Sequence, residues 1–520
     1  MKTIKKLYLL FILVMPFIAY SQSIYFNEKY QSVSNSGSGV HSLIEIENGY
    51  LVGGGTGTPP NNYWIQITLM ILDLEGNKID EKLIGDTISQ YFIAQKSLIR
   101  TSDNLLTFAG SRRTNFENFP HDEVLLVKLD NEYDTLWSKF YGEKELPYDS
   151  AYNARQLIET LDSNLIIVGT MTPEINYRDN VVLLKTDNNG NKISEWLYTY
   201  PNINYKLRGF SVIETEDKGF AIGAYRFKPG FNYTGEPMVY KVDSLGNEEW
   251  YVDVGGIYYD TKALLCNAYD GNIIAANCYA DSMSGSWDAY RTINIKKIDL
   301  EGNIIWDKRF GTSEYNKRVS NIRQTNDGGY ITTGYTWTAQ LGYLYPHFSG
   351  WMLKINNEGD SLWYRLYYNL SGSYESNYLY DIIITSDNGF AACGQVFGPT
   401  TNYTQHAWVV KVDSMGCDTP GCATGTFIHE ISPSGGGWGE VKVWPNPAKN
   451  QFSVYSLKFR VEGEKVIMIY NSQGLKVEEI KVPDGKETIT VNVKGWQKGM
   501  YFVQLVVGGE STANTKVIIY

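Results

Sequence analysis

Apolar and polar residues alternate in short runs along the chain, and turn residues separate these runs. EVLLVKL from Glu123 and NLIIVG from Asn164 are apolar on both faces of an extended strand, which is typical of a strand covered on both sides. Asp-Gly, Asn-Gly and Gly-Gly pairs between the runs supply the positive φ that tight hairpins need. The pattern predicts an all-β protein.

Two phrases recur with a nearly constant period. A D-x-x-G-N phrase, degraded in places, begins in steps of 57, 57, 56, 56, 57 and 57 residues at Asp73, Asp130, Asp187, Asp243, Asp299, Asn356 and Asp413. A second phrase, which reads NDGGYITTG from Asn326, alternates with the first and also occurs seven times. Each unit contains four strand patterns, so the repeat predicts a seven-bladed β-propeller of four-stranded blades.

The ends of the repeat predict how the ring closes. The seventh unit has three strand patterns and then breaks at GCDTPGC, which begins at Gly416. One unmatched strand pattern, SIYFNEKY at residues 23–30, precedes the first unit. We expect this strand to complete the last blade, because ring closure removes exposed sheet edges.

The recurrent Asp, Gly and Trp of the first phrase are interpreted as structural. Aspartate accepts backbone N–H bonds in the turn, glycine takes the positive φ, and four tryptophans are expected to pack between blades: Trp137, Trp250, Trp306 and Trp363. TDNNGN from Thr186 has features of a calcium loop but lacks the spacing and the glutamate of an EF-hand. The phrase also resembles the tryptophan-docking repeat of quinoprotein propellers, with glycine and tryptophan each one residue closer to the aspartate.

Composition changes at both ends of the repeat region. Residues 1–21, MKTIKKLYLLFILVMPFIAYS, have three lysines followed by an apolar run, which predicts a secretory signal peptide. Residues 22–415 then form the predicted propeller, the Gly/Ser-rich stretch 416–440 a linker, and residues 441–520 a small C-terminal β-sandwich. No other apolar stretch is long enough to predict a transmembrane segment.

Charge and cysteine content narrow the class of protein. The 520 residues are 43% hydrophobic and 20% charged, which is typical of a globular chain. The net charge of −11 and the lack of a basic cluster beyond the first residues argue against a phosphate-binding surface of the kind that nucleic acids need. Export permits disulfides, and a Cys417–Cys422 bridge is predicted across a Pro-Gly turn. Pairing of Cys266 with Cys278 across a hairpin is left open, and Cys393 is expected to be a buried free thiol.

The alternation of short turns and long links along each blade predicts which face of the propeller binds a ligand. The two short turns of each blade share one face, so the long links between strands and between blades lie on the other. These links combine aromatic residues with amides, which suits sugar rings or extended peptides, although such aromatics also simply pack over blade rims. The candidate binding residues are Tyr63, Trp64, Tyr177, Tyr233, Trp287, Tyr345 and Tyr403.

Sequence signals for catalysis are poor. The chain has no nucleophile elbow, phosphate loop or zinc-protease motif, so no catalytic residue is assigned. His121, His347 and His406 occupy corresponding long links and could approach one another, but ordinary lone histidines are the preferred interpretation, and no metal site is predicted. A pair of catalytic carboxylates, as in a hydrolase, remains an open alternative. For Asp122, Glu123 and Asp288 we expect only solvent-exposed charged side chains in loops.

The last 80 residues carry an ordered set of motifs. These are VWPNPAKNQFSV from Val443, IYNSQGLKV from Ile469, KGMYFVQL from Lys498 and the terminal TKVIIY. The set resembles the type A C-terminal sorting domain of the type IX secretion system of Bacteroidota, and GCDTPGC resembles a junction common in such proteins. The matching positions are Pro445, Asn446, Pro447, Gly474, Gly499, Tyr501 and Lys516. A generic adhesion-like β-sandwich is the alternative.

The resemblance implies a route of export. A sorting domain is read by the type IX secretion machinery after transit through the periplasm, and its removal is followed by release or by attachment to surface lipopolysaccharide. The sequence thus predicts a secreted or outer-membrane-surface cargo whose propeller is a glycan- or protein-binding adhesion module. No cofactor is predicted, and a binding protein is favoured over an enzyme.

Two alternative functions make different structural predictions. An extracellular hydrolase or lyase predicts a deep central pocket with two carboxylates about 5–10 Å apart. A quinoprotein-like oxidoreductase predicts a cationic, aromatic-stacked cofactor pocket on the propeller axis. The sequence does not identify the ligand.

Overall fold

The computed structural model consists of β-strands, and its described part contains no helix. It divides into two compact units, Met1–Glu430 and Ile431–Tyr520. The structure describes residues 25–32, 37–58, 63–86, 88–114, 121–142, 150–173, 177–227, 235–256, 262–284, 288–311, 315–338, 348–370, 375–398, 405–419, 430–431, 442–455, 465–471, 476–483, 486, 488–507 and 510–520.

The first unit begins with β1 (Phe26–Tyr30) and continues as successive antiparallel blades. Blade 1 contains β2 (Ser38–Ile46), β3 (Gly49–Thr58), β4 (Tyr63–Leu72) and β5 (Lys78–Ile84). In blade 2 the inner strand is split, so the blade contains β6 (Gln90–Ile93), β7 (Ile99–Arg100), β8 (Leu106–Arg113), β9 (Asp122–Leu129) and β10 (Thr135–Tyr141). Blade 3 contains β11 (Ser150–Glu159), β12 (Leu165–Pro173), β13 (Asn180–Thr186) and β14 (Lys192–Tyr198).

The remaining blades repeat this order. Blade 4 contains β15 (Lys206–Glu214), β16 (Phe220–Phe227), β17 (Gly235–Val242) and β18 (Glu248–Asp253). Blade 5 contains β19 (Leu264–Asn267), β20 (Ile273–Ser284), β21 (Asp288–Ile298) and β22 (Ile304–Phe310). Blade 6 contains β23 (Tyr315–Gln324), β24 (Tyr330–Thr338), β25 (Phe348–Ile355) and β26 (Ser361–Tyr367). Blade 7 contains β27 (Ser376–Ile384), β28 (Phe390–Phe397) and β29 (Gln405–Val412), with β1 as its fourth strand.

The N-terminal strand closes the ring as the sequence predicts. β1 pairs antiparallel with β29, with Phe26 opposite Lys411 and Tyr30 opposite Ala407. The unit is therefore a seven-bladed β-propeller. Backbone hydrogen bonds between β1 and β29 complete blade 7 and so close the ring.

Apolar cores fill every interface between adjacent blades. The seven buried clusters of the first unit each combine residues from two neighbouring blades. Between blades 2 and 3, for example, Ala109 and Leu126 pack with Leu157 and Ile167. This arrangement explains why the middle strands are apolar on both faces, because each sheet is covered on both sides.

The recurrent aspartate, glycine and tryptophan have the structural roles expected of them. Asp243 Oδ1 accepts hydrogen bonds from the backbone N–H groups of Leu245 and Asn247, both at 2.8 Å, and Gly246 has a φ of 85°. The hydrogen bond from the Asn247 side chain, with those of the turn backbone, lowers the pKa of Asp243. The same turn recurs in the other blades.

Outer-strand aromatics connect each blade to the next. The indole N–H of Trp250 donates to the Leu300 carbonyl at 2.7 Å, and that of Trp363 donates to the Ser414 carbonyl at 3.1 Å. Indole rings also cover the turn glycines of the following blades, at Gly190, Gly246, Gly302, Gly359 and Gly416. Phe26 covers Gly76 in the same way, so β1 reproduces the contact of the fourth strands.

A buried lysine connects the two repeated phrases within a blade. The Lys241 ammonium donates to Asp217 and to Glu249, both at 2.7 Å, and its side chain is fully buried. Equivalent pairs are Lys128–Asp103, Lys185–Asp162, Lys297–Asp270, Lys354–Asp327 and Lys411–Asp387. The lysine that precedes the D-x-x-G-N aspartate is therefore structural, because it neutralises a turn aspartate of the same blade.

The inner strands are joined by polar side chains that follow a β-bulge. The bulge lies at the same place in five blades, at His41, Arg155, Phe210, Ser320 and Tyr380. The next side chain contacts the inner strand of a neighbouring blade, and we call this set the polar belt: Ser42, Gln156, Ser211, Asn321 and Asp381. In blade 7, Asp381 is completely buried.

The second unit contains two small sheets that enclose one core. Its first sheet contains β31 (Lys442–Trp444), β32 (Gln451–Tyr455) and β35 (Thr488–Asn492); β30 (Glu430–Ile431) precedes it in sequence. The other sheet contains β33 (Lys465–Asn471), β34 (Lys476–Lys481), β36 (Gly499–Val507) and β37 (Glu510–Ile519). Phe452 and Val454 of one sheet pack with Ile467, Val503 and Val517 of the other, which is the predicted β-sandwich.

Candidate functional site

The strand ends that flank the long links lie on one face of the propeller, and three of the predicted binding residues are at such ends. Tyr63 and Trp64 begin β4. Tyr177 follows β12 with its side chain 53% exposed, and its N–H donates to the Pro173 carbonyl at 2.9 Å. Tyr233, Trp287, Tyr345 and Tyr403 lie outside the described residues.

An aromatic cluster lies at the long-link ends of blades 6 and 7. The Tyr335 and Tyr378 ring centroids are 4.8 Å apart, those of Phe348 and Tyr378 are 5.0 Å apart, and those of Trp337 and Phe348 are 5.5 Å apart. Tyr378 also stacks on Tyr380 at 6.2 Å. Because all five rings are half-buried, part of each remains accessible to solvent. We call this set the aromatic cluster.

Amide groups lie next to these rings. The Gln395 side-chain amide donates to the Tyr380 hydroxyl at 2.7 Å, and the Gln405 amide donates to the Gln395 carbonyl oxygen at 2.7 Å. Burial raises the pKa of Tyr380 well above its usual value, so its hydroxyl stays protonated at neutral pH. His41 stacks on the Tyr380 ring at 5.1 Å. The arrangement combines apolar ring faces with hydrogen-bonding groups.

Trp337 and Phe348 flank a long link but are not among the binding residues predicted from the sequence. Tyr378 and Tyr380 were not predicted either. The sequence signal for Tyr335 with Trp337, and for Tyr378 with Tyr380, was a spacing of two, because residues two apart on a strand lie on the same face. This spacing could not show that Tyr335 of blade 6 faces Tyr378 of blade 7.

The carboxylates of the second long link are not the solvated loop charges that were expected. Asp122 begins β9 with a buried side chain that accepts from the Arg113 guanidinium at 2.6 and 2.8 Å. Glu123 accepts from Arg112 at 2.5 and 2.8 Å. The prediction was wrong because β8 and β9 pair up to the residues next to the link, which brings each carboxylate opposite an arginine. Asp288 begins β21.

The histidines do not form a metal site in the described part of the chain, where no group of three potential ligands is close enough to hold an ion. His121 is buried, with its Nε2 3.8 Å from Glu123 Oε1. His406 lies in β29, where burial, followed by Lys29, lowers its pKa. His347 lies outside the described residues.

The cysteines differ in part from expectation. Cys417 is disulfide-bonded, and its predicted partner Cys422 lies outside the described residues. Cys266 and Cys278 are buried free thiols, so the pairing left open by the sequence is wrong. The register places Cys266 opposite Ile274, four residues from Cys278, a separation of roughly 13 Å along the strand that no disulfide can span. Cys393 is a buried free thiol, as expected.

Cations from several inner strands meet around the propeller axis. Arg155 and Lys262 each lie 5.4 Å from the Phe210 ring. Burial, together with Arg155 and Arg318, lowers the pKa of Lys262 to about 7. Burial, together with Arg323, lowers the pKa of Lys96 to about 8. We call Lys96, Arg155, Lys262 and Arg318 the axial cations.

We expect Lys262 to make the fold less stable as pH falls towards neutrality. Its pKa is about 7 in the folded protein and 10.5 for the free side chain, so between these values the unfolded chain binds more protons. The free energy of unfolding therefore rises with pH across this window, by at most about 1.4 kcal/mol per pH unit for one group. The groups that face Lys262 are Gln95, Arg155, Phe210, Arg318, His41 and Cys278.

Urea unfolding at pH 7, 8 and 9 measures this slope. Lys262→Met should flatten the dependence relative to the wild type, and the exposed Lys29→Met should leave it unchanged. Parallel curves for the wild type and Lys262→Met would show that Lys262 is charged throughout this range.

The predicted sorting residues occupy one end of the sandwich. The Asn446 side-chain oxygen accepts from the Ile518 N–H at 2.8 Å, which ties the segment Pro445–Pro447 to β37. The Tyr501 hydroxyl donates to the Gln497 carbonyl at 2.8 Å, and its ring lies 4.9 Å from Trp496. Gly499 begins β36 with a φ of 153°. Lys516 lies opposite Phe502 in β37, and Gly474 is outside the described residues.

Several solved structures resemble this chain at low identity. One, from Dyadobacter fermentans and described as of unknown function, is 13% identical over 64% of this chain and 97% of that chain, with a TM-score of 0.41. The α-L-arabinanase of Penicillium chrysogenum, complexed with arabinobiose, is 11% identical over 76% and 99%, with a TM-score of 0.39. The β-propeller domain of the Trilobed protease from Pyrococcus furiosus is 12% identical over 71% and 93%, with a TM-score of 0.37. At these scores the likenesses carry no inference about function.

The C-terminal unit has a specific match. No curated protein matches the chain. Within its described part, no helix has the length and apolar character required to cross a bilayer. Residues 442–520 match the family model described as the secretion system C-terminal sorting domain. The chain therefore carries the C-terminal sorting domain of the type IX secretion system and is cargo exported through the periplasm, to be secreted or attached at the cell surface.

Proposed function

We propose that the propeller of this exported cargo is a saccharide-binding adhesion module, and that the ligand binds on the long-link face. The aromatic cluster of blades 6 and 7, with its adjacent amides, carries this proposal. Display of such a module, either attached to surface lipopolysaccharide or released, would place it where extracellular glycans are encountered.

The chemistry of the cluster suits a sugar. Partly exposed Trp and Tyr rings offer flat apolar surfaces for the C–H faces of a pyranose, and neighbouring amides exchange hydrogen bonds with its hydroxyls. Trp337 and Phe348 lie nearest the link between β24 and β25, whereas Tyr380 lies further along the inner strand. A ligand bound to the exposed rings would therefore contact amides at greater depth.

The carboxylates near this face support binding over hydrolysis. Asp122, Glu123 and Asp179 each form an ion pair with arginine, at Arg113, Arg112 and Arg208. A retaining or inverting glycosidase needs a carboxyl group that is free to approach the scissile bond as a proton donor, whereas these three carboxylates are held by arginine side chains.

Trp337→Ala should weaken saccharide binding at least tenfold. Truncating one aromatic anchor commonly costs 1–2 kcal/mol or more of binding free energy, and tenfold corresponds to about 1.4 kcal/mol. The measurement is a glycan-array screen of the full chain, followed by calorimetric titration with the best ligand. Tyr269→Ala is the matched control, because Tyr269 is 66% exposed but lies beside a short turn on the other face.

Three outcomes would count against the proposal. Equal losses in Trp337→Ala and Tyr269→Ala would show that the ligand does not bind at the aromatic cluster. Binding of peptides with no response to any glycan would identify a protein-binding module instead. Release of free sugar from a bound glycan would show that the propeller is a hydrolase or lyase.

A further inference from the structure

The propeller axis contains a cavity whose lining carries positive but no negative charges. Its lining comes from the inner strands of blades 2 to 6 and consists of Gln95, Lys96, Arg155, Gln156, Phe210, Ser211, Leu264, Leu265, Ser320 and Asn321. Two of these residues are cations, and none is a carboxylate. The cavity is narrow and opens to solvent.

Blade 2 supplies the floor of this cavity. Its inner strand is interrupted between Ile93 and Ile99, where Lys96 has a φ of 51°. The Lys96 ammonium donates to the Leu265 carbonyl of blade 5 at 3.0 Å and to the Ile322 carbonyl of blade 6 at 3.3 Å. The Lys262 ammonium of blade 5 donates to the Gln95 side-chain oxygen at 2.6 Å. These contacts cross the axis, and they place Lys96 in the cavity lining and Lys262 beside the lining residue Gln95.

Of the other axial cations, Arg155 lines the cavity, and Lys262 and Arg318 lie beside it. Arg155 and Lys262 approach the same Phe210 ring at 5.4 Å, and Arg318 is close enough to Lys262 to lower its pKa. In the part of the chain that the structure describes, no carboxylate is within ion-pair distance of Lys96, Arg155, Lys262 or Arg318. The nearby Asp381 is occupied by Arg323, at 3.1 Å, and by Asn321.

Such a grouping is unfavourable by itself. Like charges that face one another repel, and Lys96 and Lys262 are also partly buried, which is costly unless an opposite charge compensates them. Burial, followed by neighbouring cations, lowers the pKa values of Lys96, Arg155 and Lys262. An anion in the cavity would relieve both costs, and a guanidinium such as that of Arg155 can donate two parallel hydrogen bonds to one oxyanion.

We propose that the axial cavity binds an oxyanion, a carboxylate, sulfate or phosphate group, held by Arg155 and Lys96, with Lys262 and Arg318 beside them adding positive charge. Because the cavity is narrow and open to solvent, its ligand would be one small anion at its mouth, or the acidic group of a larger ligand, rather than a whole oligosaccharide. This site stands apart from the saccharide-binding proposal, because it uses other residues.

Calorimetric titration of the full chain at constant ionic strength tests the site. The probes are sulfate, phosphate, galacturonate and galactose, with chloride as the balancing anion. Saturable one-to-one binding of at least one oxyanion is expected, and Arg155→Gln should weaken it at least tenfold. Galacturonate bound more tightly than sulfate and phosphate would identify an acidic sugar as the source of the oxyanion, whereas the reverse order would identify a free inorganic anion.

Two controls keep the result specific. Lys29→Gln makes a similar change of charge on the exposed outer strand β1 and should leave binding unchanged. Lys262→Met removes an axial cation from another blade and should weaken binding like Arg155→Gln. Absence of saturable binding by all three anions, or equal affinity in the wild type and Arg155→Gln, would overturn the proposal.

The two proposals fail separately. Neutral-glycan binding that is lost in Trp337→Ala and retained in Arg155→Gln tests the aromatic cluster alone. Oxyanion binding that is retained in Trp337→Ala and lost in Arg155→Gln tests the axial cavity alone.

Discussion

Asp381→Leu is expected to destabilise the propeller by about 3–5 kcal/mol, the range found when one member of a buried ion pair is removed. Asp381 is completely buried in the inner strand of blade 7. Its carboxylate accepts from the Leu43 N–H of blade 1 at 3.2 Å, from Arg323 of blade 6 at 3.1 Å and from the Ile382 N–H at 2.8 Å. Leucine would leave these donors unpaired in the interior.

The loss should depend on chemistry rather than on volume. Asp381→Asn keeps an oxygen that can accept from the Leu43 and Ile382 N–H groups, so its loss should be smaller than that of Asp381→Leu. In the double variant Asp381→Leu/Arg323→Met the two losses should not add, because the arginine charge that leucine strands is absent. Urea unfolding of the full chain, monitored by tryptophan fluorescence, gives the free energy of unfolding of Asp381→Leu, Asp381→Asn, Arg323→Met and the double variant. Equal losses for Asn and Leu would show that the contacts to Asp381 contribute little.

Phe26→Ala is expected to cost about 3–5 kcal/mol, the range for truncating a buried phenylalanine. The ring of Phe26 is 6% exposed, lies 5.7 Å from that of Tyr50 in blade 1, and covers the turn glycine Gly76. Because β1 is the fourth strand of blade 7, this ring connects the last blade to the first. Its loss therefore weakens the closure of the ring as well as the local core.

Variants of the same strand separate closure from general strand effects. Tyr30→Phe removes a hydroxyl that donates to the Gly76 carbonyl at 2.7 Å and should cost about 1 kcal/mol. Glu28→Ala changes an exposed residue of β1 and should stay within about 0.5 kcal/mol of the wild type. Hydrogen exchange of β29 should rise in Phe26→Ala, since β1 protects that edge. Unchanged exchange there would contradict a closing role for Phe26.

The sequence was sufficient for the architecture because a propeller repeats local rules. Each D-x-x-G-N phrase forms its own turn from hydrogen bonds within five residues, as at Asp243, and so it is legible without knowledge of the fold. The missing fourth strand of the seventh unit and the unmatched strand at residues 23–30 together predicted the closure that β1 makes with β29. The sorting domain was identifiable for a similar reason, since its motifs are short and ordered.

The candidate sites depended on contacts between blades, which no local pattern encodes. The sequence placed Asp122 and Glu123 in solvent, but strand register brings them opposite Arg113 and Arg112. It chose Tyr177 and other link residues, whereas the described aromatic cluster joins Tyr335 of one blade to Tyr378 of the next.

The sequence by itself determined the number of blades, their turns, the closing strand and the route of export. Only the tertiary structure decided which side chains share the axis, where Arg155, Lys262 and Arg318 come from three different blades. The physical reason is that turns form through contacts between neighbours in sequence. The electrostatic field and the shape of a binding cavity depend instead on residues from several blades that closure of the ring brings together.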